Sequence, residues 1–216
     1  MEYHFHYPEG LLEDQETGYL SNLTDEQAQV LTQLKRWYNN EGLVWEELSP
    51  YGLNEDHTLL RFLRARQFNL EATQSLINQN LDFRRENQVD EILKRDPEEI
   101  LGCNFDELMA CYPHWCYGHD KVGRPVMFKH YGKFETWNIK KSTTLEDVLT
   151  YHIWEQETVM RMMGDATRRN GGEVVDEMII VVDIEEMTLV QVTRDFLRFG
   201  LFEICFYQWG FLAYFN

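Results

Sequence analysis

The sequence is 216 residues long and strongly acidic, with 37 Asp and Glu against 20 Lys and Arg and a formal net charge of −17. A globular chain of this length buries roughly 70% of the surface that its unfolded form exposes. Because 44% of the residues are apolar, wholesale disorder is excluded. The acidity excludes a non-specific nucleic-acid binder, which needs a basic surface, and argues against simple electrostatic adhesion to an anionic membrane.

The charge is unevenly distributed along the chain. Residues 1–57 carry 12 acids and two bases, a net charge of 2 − 12 = −10. Residues 58–95 carry seven bases and five acids, a net charge of 7 − 5 = +2. This second segment is therefore a basic island that contains several arginines in an otherwise acidic chain.

The first 22 residues have no helical or strand period and predict an irregular N-terminal segment. Their start lacks the cationic and apolar regions of a secretion signal, so we expect a cytoplasmic protein with reduced cysteines. Cys111, His114, Cys116 and His119 are close together but fit no zinc-ligand spacing, and no metal site or cofactor is predicted.

Residues 23–108 predict a helical subdomain. Thr24 and Gln27 form a capping box, in which each side chain accepts a free backbone N–H at the start of a helix. Similar start signals precede three more helices, at Asn54, Asn69 and Asp96-Pro97.

Residues 109–199 change in character and predict a mixed α/β region. Trp115–Tyr117 and Arg124–Tyr131 read as two strands of a hairpin, joined by the turn at Asp120–Gly123 and supported by Arg124. A capping box at Thr143–Glu146 opens a long helix that ends near Arg169.

The run Met178–Val182 predicts a strand buried on both faces, because five consecutive apolar residues leave no polar face. Strand, long helix and strand together predict a parallel crossover and an α/β fold class. Thr188–Phe199 has a helical pattern and completes this region.

Residues 200–216 form an apolar tail in which seven of 17 residues are aromatic. The tail is too short for a membrane-spanning helix, which needs about 20 apolar residues. It is either a buried element whose covering partner should follow, an interfacial anchor, or the point at which the sequence is incomplete.

Two segments carry a family resemblance. LLRFLRAR-x-F lies within His57–Ala72, and DKVGRPV lies within Gly118–Val126. In this order they resemble the CRAL-TRIO lipid-binding family, of the phosphatidylinositol/phosphatidylcholine transfer type. The resemblance implies a helical subdomain followed by a mixed-sheet lipid-binding domain. It also implies non-enzymatic transfer of a phospholipid, sterol or other hydrophobic lipid between membranes that the protein contacts transiently.

The resemblance also implies a set of lipid-contacting residues. In the family a basic pair before the phenylalanine contacts the inositol phosphate headgroup; here the pair is Arg66-Gln67, so one cation is missing and phosphoinositide binding is weakened. Choline-lipid binders place hydroxyl residues where this chain has Met178 and Ile180. The full set of expected lipid contacts is Arg66, Gln67, Cys116, Tyr117, Met127, Trp154, Met178, Ile180 and Val182.

This chain departs from the family after the strand at 178–182, where a further strand and an amphipathic gate helix are not recognisable. The alternative function is therefore a degenerate scaffold that binds a protein partner through its acidic N-terminal region, without lipid cargo. An enzyme is not expected, because seven residues between Cys116 and Arg124 are too many for a cysteine-phosphatase loop and no nucleophile elbow or phosphate loop is present.

Overall fold

The structure is a computed structural model that describes residues 18–49, 51 and 53–188. Most of the predicted irregular segment 1–22, nearly all of the predicted helix at 188–199 and the aromatic tail at 200–216 lie outside the described residues. The described chain is helical first and mixed α/β afterwards, as the sequence predicts.

The first half is a set of helices, of which the four with predicted start signals begin where the sequence predicts. These helices are α1 (Asp25–Asn40), α2 (Trp45–Leu48), α3 (Glu55–Ala65), α4 (Leu70–Glu86), α5 (Val89–Ile92), α6 (Pro97–Leu101) and α7 (Phe105–Cys111). The Thr24–Gln27 capping box is confirmed in both directions. Asn54, Asn69 and Asp96 each accept a backbone N–H of the following turn at 2.8–2.9 Å, which confirms these starts.

The core of the helical region is formed by leucines and other apolar residues at helical spacing. Leu34, Leu59, Leu63 and Ile77 are completely buried where α1, α3 and α4 meet. The guanidinium of Arg64 lies 3.2 Å from the carboxylate of Asp176. Asp176 belongs to the segment before the last described strand, so this contact ties the two halves of the chain together.

The second half contains a small sheet and one long helix. Its elements are β1 (His114–His119), β2 (Pro125–His130), a 3₁₀ turn (Tyr131–Lys133), α8 (Thr136–Ser142), α9 (Leu145–Arg169) and β3 (Ile179–Asp183). β1 pairs antiparallel with β2, and β2 pairs parallel with β3, in the order β1-β2-β3. The predicted hairpin, crossover and α/β class are confirmed.

The predicted start of the long helix is wrong by one residue. The hydroxyl of Thr144, not that of Thr143, accepts the N–H of Asp147 at 3.1 Å and caps α9. Thr143 donates its hydroxyl to the carbonyl of Leu101 at 2.6 Å. Two adjacent threonines are equal candidates in sequence, and this contact with α6 assigns their roles.

The prediction that Met178–Val182 is buried on both faces is wrong in its burial, although the strand itself is confirmed. Val181 is 39% exposed and Val182 is 46% exposed. Within the described part of the chain β3 is an outer strand of the sheet and pairs with β2 alone, so its far end lacks cover.

Candidate functional site

The turn of the β1–β2 hairpin is organised by Asp120. Its carboxylate accepts the backbone N–H groups of Val122 and Arg124 at 3.0 and 2.8 Å, and the Nε of Arg124 at 2.8 Å. Arg124 also lies 3.6 Å from Glu177, which precedes β3. Arg124 therefore stabilises the hairpin, as the sequence predicts, and β1 is held in register beside β2.

An apolar cavity of about 550 Å³ lies beside this sheet, between β1, α7 and α9. This size is in the range of cavities that bind small organic ligands. The apolar residues that line it from α7, β1, β2 and the link between α7 and β1 are Phe105, Met109, Pro113, Trp115, Cys116 and Met127. Its apolar lining from α9 is Trp154, Val159 and Met162.

Regular spacing explains why these side chains face one space. On α9, Tyr151, Trp154, Thr158 and Met162 recur every three or four residues, so they lie on one face of the helix. Side chains directly opposite each other on paired strands point to the same side of a sheet. Cys116 of β1 lies opposite Met127 of β2 in this way.

A buried polar cluster forms one side of the cavity. The carboxylate of Glu155 lies 2.8 Å from the Nζ of Lys129 and 3.1 Å from the Nδ1 of His152. Its other oxygen lies 3.4 Å from the Nε2 of His114, which contacts the hydroxyl of Tyr151 at 3.1 Å. Glu155, His114 and Tyr151 line the cavity, so one side of its mostly apolar wall carries charged and polar side chains.

The electrostatics of this cluster keep Glu155 ionised. Burial alone raises the pKa of a carboxyl group, but the neighbouring Lys129, His114 and His152 outweigh burial and hold the pKa of Glu155 well below its usual range. The Glu155 carboxylate is therefore charged inside the protein, 2.8 Å from the Nζ of Lys129. Such a pair is stable only while both partners are present.

The structure places three predicted site residues together. Cys116, Met127 and Trp154 all line the cavity. Met178 and Ile180 are half-buried and pack against the small core around Met127, behind the lining. The sheet and α9 thus gather these five residues into one neighbourhood.

The remaining predicted residues lie elsewhere. Tyr117 is 77% exposed, and its ring packs edge-on against Phe128 at 5.7 Å. Val182 lies near the exposed end of β3. Arg66 and Gln67 form the turn between α3 and α4, where Arg66 donates to the carbonyl of Ala65 at 3.0 Å.

The expected lipid contacts omit several apolar lining residues and all of the polar ones. His114, Tyr151, Glu155 and Thr158 were not predicted to line the cavity. The position of Lys129 could have indicated the buried polar cluster, because Lys129 is two residues from Met127 in β2 and therefore shares its face of the sheet. A lysine on the inward face of a strand requires a buried acid, but the strand pattern cannot identify which acid.

A second buried ion pair lies on the other side of α9. Arg84 of α4 contacts Glu157 at 2.8 Å and Asp90 at 2.7 Å, and the hydroxyl of Tyr51 donates to Glu157. Burial opposes charge on Arg84, but the carboxylate of Glu157 outweighs burial and raises the pKa of the guanidinium. The space beside this cluster is only about 30 Å³, which is room for a water molecule but not for a lipid.

Among the described residues, no group of three or more His, Cys, Asp or Glu side chains is arranged to hold a metal ion. No helix in this part of the chain is long and apolar enough to cross a membrane. Because residues 1–17 are not described, the predicted protein-binding role of the acidic N-terminal region stays a prediction.

Two family models match the chain. The model of the CRAL/TRIO N-terminal domain matches residues 18–79, and that of the CRAL/TRIO domain matches residues 110–208. The second match contains β1, β2 and α9, which supply most of the cavity lining, whereas Phe105 and Met109 of α7 lie between the two matches.

Curated relatives share substantial sequence with the chain. A phosphatidylinositol/phosphatidylcholine transfer protein of Arabidopsis thaliana, SFH9, is 38% identical over 113 residues, which are 52% of this chain and 19% of that protein. A SEC14 cytosolic factor of Yarrowia lipolytica is 32% identical over 183 residues, which are 85% of this chain and 35% of that protein. The chain therefore spans well under two thirds of the length of these relatives.

A solved structure shares the fold. The crystal structure of Sfh5 superimposes with a TM-score of 0.57 and 16% sequence identity, covering 87% of this chain and 67% of that one. At this identity the likeness concerns the fold alone.

Proposed function

Because the chain belongs to the CRAL-TRIO family, we propose that it binds one hydrophobic lipid in the cavity beside α9 and transfers that lipid between membranes. The observation that carries this proposal is the cavity itself, which is large, mostly apolar and lined mainly by residues of the second matched segment. The Arabidopsis thaliana relative is named as a transfer protein, and the activity that we propose for this chain is non-enzymatic.

The lining favours the apolar part of a lipid. Each Å² of apolar surface removed from water contributes about 25 cal/mol, without the need for polar partners. Trp154, Met162 and Met127 offer such surface to an acyl chain or a sterol ring, while Met178 and Ile180 support the wall from behind. Tyr117 and Val182 remain proposed contacts at the exposed ends of β1 and β3.

The more specific part of the proposal concerns a phosphoinositide headgroup as the polar end of the bound lipid. The family resemblance assigns headgroup contact to the turn that holds Arg66 and Gln67, and the backbone φ of Gln67 is +50°. A guanidinium binds phosphate through paired charge-assisted hydrogen bonds, which a glutamine cannot replace. We therefore propose that Arg66 supports weak phosphoinositide binding and that other small lipids compete with it.

The proposed setting is the cytoplasm, with transient contact to membranes during loading and release. A lipid that leaves a bilayer must pass a protein–membrane contact, because free lipid in water is strongly disfavoured. The SEC14 relative is named as a cytosolic factor, which supports the same setting here.

Lipid extraction tests the proposal directly. The purified chain is mixed with vesicles that contain phosphatidylcholine, phosphatidylinositol and a sterol, then re-isolated, extracted and examined by mass spectrometry. We expect one lipid class to co-purify. Absence of every lipid, with the protein folded by circular dichroism, would contradict the proposal.

A cavity-filling variant locates the bound lipid. Cys116→Trp adds a ring inside the cavity and is expected to reduce lipid loading by about tenfold, a loss of about 1.4 kcal/mol. Val122→Trp adds the same ring at a hairpin-turn position that is 57% exposed, and it is the matched control. Equal loading by both variants would place the lipid outside this cavity.

A further inference from the structure

The short helix α8 carries an exposed tryptophan beside two lysines. Trp137 is 75% exposed, the highest value among the tryptophans of the described residues. Lys140 and Lys141 follow three and four positions later, so they share one face of the helix with Trp137. The Nζ of Lys141 lies 5.8 Å from the centre of the Trp137 ring. We call Trp137, Lys140, Lys141 and the nearby exposed Lys133 the α8 patch.

The opposite side of this segment is firmly anchored in the protein. Ile139 is completely buried, and Phe134 packs edge-on against Tyr112 at 4.9 Å. The backbone N–H of Glu135 donates to the carbonyl of Cys111, the last residue of α7. Trp137 is therefore held outward by its own helix and is not a core residue that failed to pack.

The charge of the α8 patch is opposite to that of the chain. Residues 131–142 carry three lysines and one glutamate, a net charge of 3 − 1 = +2, while the whole chain carries −17. Charges are screened beyond about 8–10 Å at physiological salt. A surface that touches the patch therefore experiences the three lysines and Glu135 more strongly than it experiences charged groups beyond that distance.

We propose that the α8 patch is the surface with which the protein docks on an anionic phospholipid bilayer. Tryptophan favours the headgroup level of a bilayer, because its ring is amphipathic, and nearby lysines are attracted to anionic lipids. The inference rests on the proposed lipid function, because docking serves loading and release. α8 packs on α7, whose Phe105 and Met109 line the cavity, so the docking surface adjoins a wall of the binding site.

Vesicle flotation tests the docking surface with the full chain. Vesicles of phosphatidylcholine alone are compared with vesicles that contain phosphatidylserine in addition. We expect the wild type to bind the anionic vesicles preferentially. Trp137→Ala and the double variant Lys140→Gln/Lys141→Gln should each weaken binding by about tenfold.

A charge-matched control separates the patch from overall charge. Lys94→Gln/Lys121→Gln removes two exposed lysines that lie outside α8, so its net charge equals that of the patch variant. The control should bind anionic vesicles like the wild type. Equal binding by all variants, or no preference of the wild type for anionic vesicles, overturns the docking proposal.

Two readouts distinguish this inference from the lipid proposal on which it rests. Mass spectrometry of co-purified lipid measures the occupied cavity, whereas flotation measures the docking surface. Lipid loading without preference for anionic vesicles defeats the α8 proposal and leaves the cavity proposal standing. Flotation through the patch without any co-purified lipid supports docking and defeats the cavity proposal.

Discussion

The helical region and the sheet region contact α9 through two glutamates that are only two residues apart. Residues two apart on a helix point about 200° from each other, because each residue turns the helix by about 100°. Glu157 therefore faces α4 and binds Arg84, whereas Glu155 faces the sheet and binds Lys129. The two ion pairs are similar in chemistry and differ in what surrounds them.

The difference shows how one helix serves two purposes. Around Glu157 the side chains close to a space of about 30 Å³, which suits a structural junction. Around Glu155 they border a cavity of about 550 Å³, which suits a ligand. The first pair joins the two regions, and the second stabilises the wall of the proposed binding site.

The largest expected effect is the loss of one partner of each pair. Arg84→Met leaves Glu157 buried without its cation, and Lys129→Met removes the nearest cation from the buried Glu155. Each variant should lower the free energy of unfolding by about 3–5 kcal/mol, measured by urea denaturation. Arg85→Met removes an exposed ion pair with Glu47 and should cost less than about 1 kcal/mol.

Lipid loading then separates the two variants. At a temperature where both are folded, only Lys129→Met should change the lipid that co-purifies, because only its partner lines the cavity. Similar loading by both would remove the functional difference between the two glutamates.

A smaller stability loss is expected at the junction of α9 with the segment before α3. A Cβ atom added at Gly164 would lie 2.5 Å from the backbone carbonyl oxygen of Tyr51. Gly164→Ala should therefore lower the melting temperature, with a cost of about 1–3 kcal/mol, although alanine is the better helix former. In the control Gly171→Ala the new Cβ has open space around it, but the backbone φ is positive. The stability that this control loses therefore reports backbone strain without a steric clash.

The pH dependence of stability should report the pair at the cavity. Because the pKa of Glu155 lies below its ordinary value of 4.5 in the folded state, the stabilisation is complete above pH 4.5 and is lost as the pH falls. The double variant Lys129→Met/Glu155→Gln should show a shallower fall in unfolding free energy on acidification than the wild type. An unchanged slope would mean that other carboxyl groups control acid unfolding.

The smallest expected effect concerns the headgroup. Gln67→Lys restores a basic pair with Arg66 and should raise binding of phosphatidylinositol phosphate vesicles by about tenfold or less. Gln74→Lys adds the same charge on α4 and is the matched control. Equal gains in the two variants would indicate general electrostatic attraction and no specific site at the turn.

Much of the local structure could be predicted because its causes are local. The Thr24 capping box and the caps at Asn54, Asn69 and Asp96 depend on side chains within three residues of each helix start. The parallel crossover followed from the strand–helix–strand order.

The site was only partly predictable. Cys116, Met127 and Trp154 were expected as lipid contacts and line one cavity. The polar side of that cavity was missed, because Lys129 and Glu155 are 26 residues apart and their contact depends on how α9 crosses the sheet. A helical period shows that a helix has faces but not which neighbour each face meets.

The sequence by itself determined the starts of α1, α3, α4 and α6, the hairpin turn and the strand–helix–strand order, because these follow from short-range hydrogen bonds and from periodicity. Tertiary structure alone decided which of two threonines caps α9, how much of β3 is covered, and that Glu155 and Glu157 point to different regions. Those outcomes depend on contacts between distant segments, which fix burial and pairing only once the elements have packed.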